Sequence, residues 1–213
     1  MKWINFLIGQ NIPYYIYKLH KEDTIIVNYY VSQINKIILI IDGSIYCVKV
    51  FPNKELLPIA LLKKNNLFRI EQSKTKQQFY YQLKALKKTY IITFNLNDIY
   101  KKTSNSFLID ILYSYDDTLK QYEIMNEIMS QKYIKNRIFQ IILLLCLQFG
   151  KVNQNKIYLT FKISYRELAI LSGTNKTTVS RILKKMNRDK LIEYYKKNKI
   201  YICNIFKITL KNY

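Results

Sequence analysis

Three cysteines, one histidine, four glycines and three prolines are all that this 213-residue chain holds of those types, and each shortage excludes something. Cys47, Cys146 and Cys203 are odd in number and far apart, and they form no Cys-x-x-Cys pair. With a single histidine, His20, they supply neither a disulfide framework nor a zinc site. Buried thiols in a reducing compartment are the expectation. So few Gly and Pro beside 49% hydrophobic residues exclude a disordered chain. Long oily runs are missing too: the longest, Ile138–Leu147, is interrupted by Gln140 and reaches about half the ~20 residues of a membrane span, so it reads as a buried helix. Met1–Gly9 is apolar, but no small-residue cleavage site follows it, so no secretory leader is expected. No Gly-rich phosphate loop or metal-ligand spacing is present, and no thiol has a histidine near it in sequence; an enzyme would lack recognisable machinery.

Acidic residues are also scarce, 14 against 35 Lys and Arg, for a formal charge of +21. Such a charge suits a polyanionic partner. Only five of the basic residues are Arg (69, 137, 166, 181 and 188), and Ile, Asn, Tyr and Lys abound, a bias that an AT-rich genome produces whatever the function. Placement is therefore the better witness. Residues 151–213 carry 15 basic against 3 acidic side chains, net +12, whereas residues 1–150 carry 20 against 11, net +9. Codon bias alone does not concentrate charge at one end.

From about residue 14 to 100 the chain reads as short strands rich in Ile, Val, Tyr and Phe: Thr24–Tyr30, Ile37–Ile41, Ser44–Phe51, Leu57–Leu62, Phe79–Leu83 and Tyr90–Phe94. Asp42-Gly43 between two apolar runs signals a hairpin. Six strands with turns between them predict a β-roll or sandwich. From Ser106, a plausible N-cap, the period becomes helical. Leu108, Tyr115, Tyr122 and Met129 recur at sevens, and Ile111, Leu112, Leu119 and Met125 fill the adjoining positions of one face. That stripe fits either packing on the chain's own β domain or a seam between two copies. A second helix, about Tyr133–Phe149, is apolar almost all round and ends at Gly150, a natural C′ residue.

The segment Lys162–Met186 carries the chemistry. Ser164 and Glu167 form a capping box that starts a short helix packed through Leu168, Ala169 and Leu171. Gly173 ends it at a sharp turn, and Thr174 or Asn175 can cap the next helix, whose inward side is Val179, Ile182, Leu183 and Met186. Two short helices joined through a Gly turn are a helix-turn-helix pattern. Lys176, Thr177, Ser180, Arg181 and Lys184 share the outward face of the second helix, suited to base edges in a major groove. Ser164, Tyr165, Arg166, Asn175 and Thr178 sit at the mouth of the motif, where hydroxyls and amides can hold phosphates. After Asp189-Lys190, two short strands around a Lys196–Lys199 turn make a basic wing, with Lys196 and Lys197 placed to touch the backbone. A Lys-rich helix face alone is usually only solvated; the ordered series of core helix, capped helix, Gly turn, basic helix and basic hairpin is far more specific.

Over Asn136–Asn204 the chain resembles the cyclic-AMP receptor/FNR superfamily of regulators, especially the global nitrogen regulator (NtcA) type of cyanobacteria and red-algal plastids. Asn136–Gly150 is similar to the helix leading into that family's DNA domain, and Gly173–Leu183 to its turn and recognition helix. The resemblance implies that Lys176, Thr177 and Arg181 face base edges while Ser164, Tyr165, Asn175 and Thr178 approach phosphates. Lys176 stands where the family usually has Arg, which removes bidentate geometry there. Ile41–Tyr46 resembles the family's β-roll hairpin. In the effector region Phe68-Arg69 replaces the family's Phe-Gly, Ile70–Gln78 is shortened, Gln78 and Thr118 fall where the family has Arg, and an acidic partner remains at Glu123. The effector-position residues are thus Phe68, Gln78 and Glu123. A dianion such as 2-oxoglutarate, or a cyclic nucleotide, would lack its charge partners, and no cofactor is expected.

The expected architecture is α+β: a β-roll of the cyclic-nucleotide-binding kind over 1–104, a dimerisation helix over 105–132, and a winged helix-turn-helix over 133–213. The expected function is sequence-specific binding of double-stranded DNA by a homodimer, without membrane association. The resemblance adds RNA polymerase as a contact, nitrogen-related genes as targets, and a plastid stroma (or a bacterial cytoplasm) as location. The alternative is a non-specific nucleic-acid-binding or architectural protein with a degenerate effector domain, which would bind random duplexes as tightly as any selected site.

Overall fold

The computed structural model describes residues 2–27, 35–69, 79–100, 105–153, 156–195 and 199–202. It forms two compact units, Met1–Ile124 and Met125–Tyr213.

The N-terminal unit opens with helix α1 (Lys2–Gly9), and its described residues hold eight strands: β1 (Tyr14–Leu19), β2 (Thr24–Val27), β3 (Lys36–Asp42), β4 (Ser44–Val50), β5 (Leu56–Lys63), β6 (Leu67–Arg69), β7 (Tyr80–Ala85) and β8 (Thr89–Asn95). They pair antiparallel in two four-stranded sheets ordered β1-β8-β3-β6 and β2-β7-β4-β5. This is the expected β-roll architecture. Helix α2 (Leu96–Tyr100) and the long α3 (Asn105–Ser130) follow.

Burial explains why so few strands alternate cleanly in sequence. Ile38 and Ile40 of β3 face the core between the sheets, with Ile45, Cys47, Ala60, Leu62, Leu83 and Ile91. Ile37 and Leu39, on the other side of the same strand, pack with Leu7 of α1, Ile99 of α2, and Phe107 and Ile111 of α3. A sheet covered on both faces needs apolar residues in succession.

Asp42-Gly43 does not close a hairpin. β3 pairs with β6 and β8, whereas β4 pairs with β5 and β7, so the chain crosses from one sheet to the other at this point. Gly43 has φ +114°, and a Cβ there would collide with Thr89. The Thr89 hydroxyl instead accepts from the Ser44 amide at 3.0 Å. Two further corrections concern helix ends. α3 is already helical at Asn105, so Ser106 lies in its first turn and does not cap it. Gly150 closes α4 (Ile134–Phe149) in an extended conformation, φ −74°, and is not a left-handed C′ residue. Glycine is needed there for space, because a Cβ would meet the Cys146 carbonyl and Ile157.

The apolar stripe of α3 is buried along one side and exposed along another. Ile111 and Met125 are buried, and Leu108, Tyr115 and Tyr122 are partly buried. Leu112 and Leu119, seven residues apart, are 65% and 55% exposed, beside exposed Ile109 and Tyr113.

In the C-terminal unit, α4 buries Ile138, Phe139, Ile141, Ile142, Leu145 and Cys146. Burial pushes the Cys146 thiol up to about 12, and raises that of fully buried Cys47 as well, so both stay protonated and inert. Strands β9 (Gly150–Asn153) and β10 (Lys156–Leu159) come next, then α5 (Tyr165–Leu171), α6 (Lys176–Arg188), β11 (Ile192–Tyr195) and β12 (Lys199–Ile202), with sheet order β11-β12-β10-β9. No described helix is long and apolar enough to cross a membrane.

Candidate nucleic-acid interface

The interface is built from α5, a four-residue connection and α6. Ser164 caps α5: its Oγ accepts from the Glu167 amide at 3.1 Å, and Glu167 Oε2 accepts from the Ser164 amide at 2.6 Å. Glu167 is buried, and its carboxylate serves the helix end. Leu168, Ala169 and Leu171 are buried beside it.

Gly173, at φ +60°, provides the turn. A methyl group there would lie 2.7 Å from Met129 Cε. Gly173→Ala therefore pays both the left-handed cost, about 1–2 kcal/mol for an L-residue, and displacement of Met129. Thermal unfolding is expected to show destabilisation that shrinks in a Met129→Ala background; equal losses in both backgrounds would mean that the contact carries none of it.

Asn175, not Thr174, caps α6, its Oδ1 accepting from the Thr178 amide at 2.8 Å. Asn175→Ala is expected to cost about 1 kcal/mol of stability, read as a lower unfolding midpoint. Val179, Leu183 and Met186 are buried, and Ile182 is half-buried at the edge of the packed side.

The opposite face is cationic. Lys176, Thr177, Arg181 and Lys184 are exposed, with Ser180 half-buried among them. Lys185 and Arg188, not singled out from sequence, are exposed as well, so Thr177, Arg181, Lys184 and Arg188 form a row at spacings of four, three and four. Helical periodicity alone would have found them. No acidic residue interrupts α6, and the N-terminal end of its dipole adds positive potential where Lys176 and Thr177 stand. At the mouth of the motif Arg166 and Asn175 are exposed, and Ser164, Tyr165 and Thr178 are half-buried. Lys196 and Lys197 lie outside the described residues, between paired strands β11 and β12. A helix sealed on one flank and offering cations, hydroxyls and no carboxylate on the other is suited to a groove lined by phosphates.

The N-terminal unit holds a cavity of about 610 Å³ lined by Phe68, Arg69, Tyr81, Tyr115, Thr118 and Tyr122 among others. Phe68 is one of the effector-position residues; Glu123 is exposed and does not line the cavity, and Gln78 lies outside the described residues. Thr118 turns its hydroxyl to the protein, accepting from the Leu67 amide at 3.0 Å and donating to the Ser114 carbonyl at 2.7 Å. Arg69, which stands where the resembled family has Gly, lines the cavity, its Nη2 donating to Asn35 Oδ1 at 3.2 Å.

Residues 136–208 match the model of the Crp-like helix-turn-helix domain. The chain is 28% identical over 204 residues to ycf28 of Porphyra purpurea, an HTH-type transcriptional regulator by name, covering 93% of this chain and 82% of that one. It is 24% identical over 166 residues to the global nitrogen regulator of Synechococcus elongatus, covering 76% and 75%. Among solved structures it is similar in fold to TTHB099, a CRP-family transcriptional regulator from Thermus thermophilus, with a TM-score of 0.72, 15% identity, and coverage of 89% and 93%. FixK2 from Bradyrhizobium japonicum gives a TM-score of 0.68 at 13% identity, with coverage of 91% and 94%. Residues 136–208 carry a Crp-like helix-turn-helix domain, and along most of its length the chain is similar to transcription regulators of the cyclic-AMP receptor/FNR type, the global nitrogen regulators among them.

Proposed function

We propose that the protein is a homodimer that binds a pseudo-palindromic DNA site and regulates nitrogen-related genes in a plastid. The single observation carrying the DNA-reading part is the two-sided character of α6: Val179, Leu183 and Met186 sealed, Lys176, Thr177, Arg181 and Lys184 exposed. In this reading Arg181, Lys176 and Thr177 face base edges, with Ser180 and Lys184 alongside. Ser164, Tyr165, Arg166, Asn175, Thr178, Lys196 and Lys197 hold the sugar-phosphate backbone. Exposed Leu112 and Leu119 support pairing of two copies along α3. A two-fold dimer then sets its recognition helices in successive major grooves about 34 Å apart. RNA polymerase is the further contact this role entails. The relatives in Porphyra purpurea and cyanobacteria support the plastid and nitrogen assignments.

Operator selection from random duplex DNA, with and without 2-oxoglutarate, tests the reading. A single inverted-repeat motif is expected, bound with a salt slope near about −7 if each subunit neutralises about four phosphates. Recovery of unrelated sequences bound as tightly as the starting pool would instead establish a non-specific binder.

A further inference from the structure

Gly173 reveals what sits beneath the reading head. The space a side chain would take is filled by Met129, whose Cε lies 2.7 Å and Sδ 3.8 Å from the Cβ position; the Arg137 guanidinium Nη1 is 3.6 Å from that same point. Met129 belongs to the last turn of α3 and Arg137 to the first turn of α4. Between them lies a connection of only three residues, Gln131, Lys132 and Tyr133, with no glycine or proline in it. Arg137 Nε donates to the Gln131 carbonyl at 2.9 Å, across the bend. Backbone bonds from the Asn136 and Arg137 amides to the Tyr133 carbonyl close the same corner, and Tyr133 itself gives α4 no side-chain cap.

One guanidinium thus ties the end of α3 to the start of α4 while lying beside the turn that launches α6, and one methionine wedges that turn from below. We infer that Arg137 and Met129 are positioning residues that fix α6 relative to the last turn of α3, and so set which half-site spacing the protein accepts. The inference rests on the proposed homodimer: if two copies pair along α3, any swing of α6 about the 131–133 corner changes the distance and angle between the two reading helices. Neither side chain need touch a base. Their effect is on geometry, and geometry is read only when two half-sites must be engaged together.

The test uses the full-length protein and duplexes carrying the selected half-sites with the natural spacer, with spacers one or two base pairs shorter or longer, and with one half-site alone. Wild type is expected to prefer one spacing by about tenfold or more, since a misplaced half-site must be recovered by bending or twisting DNA. Arg137→Met keeps the aliphatic stem but removes the donors. It is expected to bind the single half-site within about twofold of wild type while its spacing preference falls below about threefold. Met129→Ala should relax spacing in the same way, and binding to the single half-site certifies that each variant is folded. Arg137→Lys separates positioning from charge. A phosphate contact would be restored by Lys, and its loss in Arg137→Met would lower the salt slope by about 1; a positioning role leaves the slope unchanged and spacing relaxed in both variants. Unchanged spacing preference in the variants, or equal loss on half and full sites, overturns the inference alone. A wild type indifferent to spacing overturns it together with the dimeric reading.

Discussion

Leu112→Glu is expected to convert the proposed dimer to monomer without unfolding the chain. Within one copy Leu112 is 65% exposed, so a carboxylate there meets water and leaves the β-roll core intact. In a two-fold interface the change occurs twice. Each lost leucine forfeits about 1.5–3 kcal/mol of burial, before the cost of facing two carboxylates across the seam. Together that raises the dimer dissociation constant by at least about 100-fold. Sedimentation should show a monomer with unaltered circular dichroism. Affinity for the inverted repeat should collapse, while the weak binding of one half-site survives. A variant that stays dimeric would place the interface on another surface.

Arg181→Ala is expected to act differently, lowering preference for the selected site far more than affinity for random duplex. Arg181 is exposed on the face of α6 opposite Val179 and Leu183, so its removal opens no cavity. A bidentate contact to guanine is worth about 1–3 kcal/mol of base discrimination; with two copies per site the specific-to-random ratio should drop by at least about tenfold. Random-duplex affinity loses only the share of one cation among the many on this surface. Competition binding reads both quantities, and equal loss on both would refute a base-contacting role.

The two units differed in how plainly the sequence announced them. The reading head was legible nearly residue by residue, because its signals are local: Ser164 with Glu167, Gly173, and the 3.6-residue rhythm of Val179, Leu183 and Met186. Capping chemistry and a positive φ depend on a few neighbours, so a sequence window contains them whole. The β-roll was legible as a class but not in its connections. Ile37–Ile41 reads equally well as a strand of either sheet, because both of its faces are buried. Asp42-Gly43 reads as a hairpin because the positive φ of Gly43 serves a crossover just as well; what separates the two is the long-range pairing of β3 with β6 and β8 and of β4 with β5 and β7. Tyr14–Leu19 and Leu67–Arg69 do not stand out in the sequence as separate strands, the second being only three residues long. β9 and β10, four residues each, carry polar residues among their apolar ones and give no strand signal of their own. In the α3 stripe, periodicity marked a single face, but only packing shows Ile111 and Met125 turned inward and Leu112 and Leu119 outward. The contact of Met129 with the Gly173 turn had no sequence signal at all, since it joins segments forty-four residues apart.

Whether α6 reads bases from the major groove is tested most directly by replacing the specified guanine of the selected half-site with 7-deazaguanine. That change removes one major-groove acceptor and leaves pairing, minor groove and phosphates as they were. Wild-type affinity should fall by about tenfold, in line with the worth of an Arg–guanine pair, and Arg181→Ala should bind both duplexes alike. Undiminished wild-type binding to the substituted site would contradict recognition by this face of the helix.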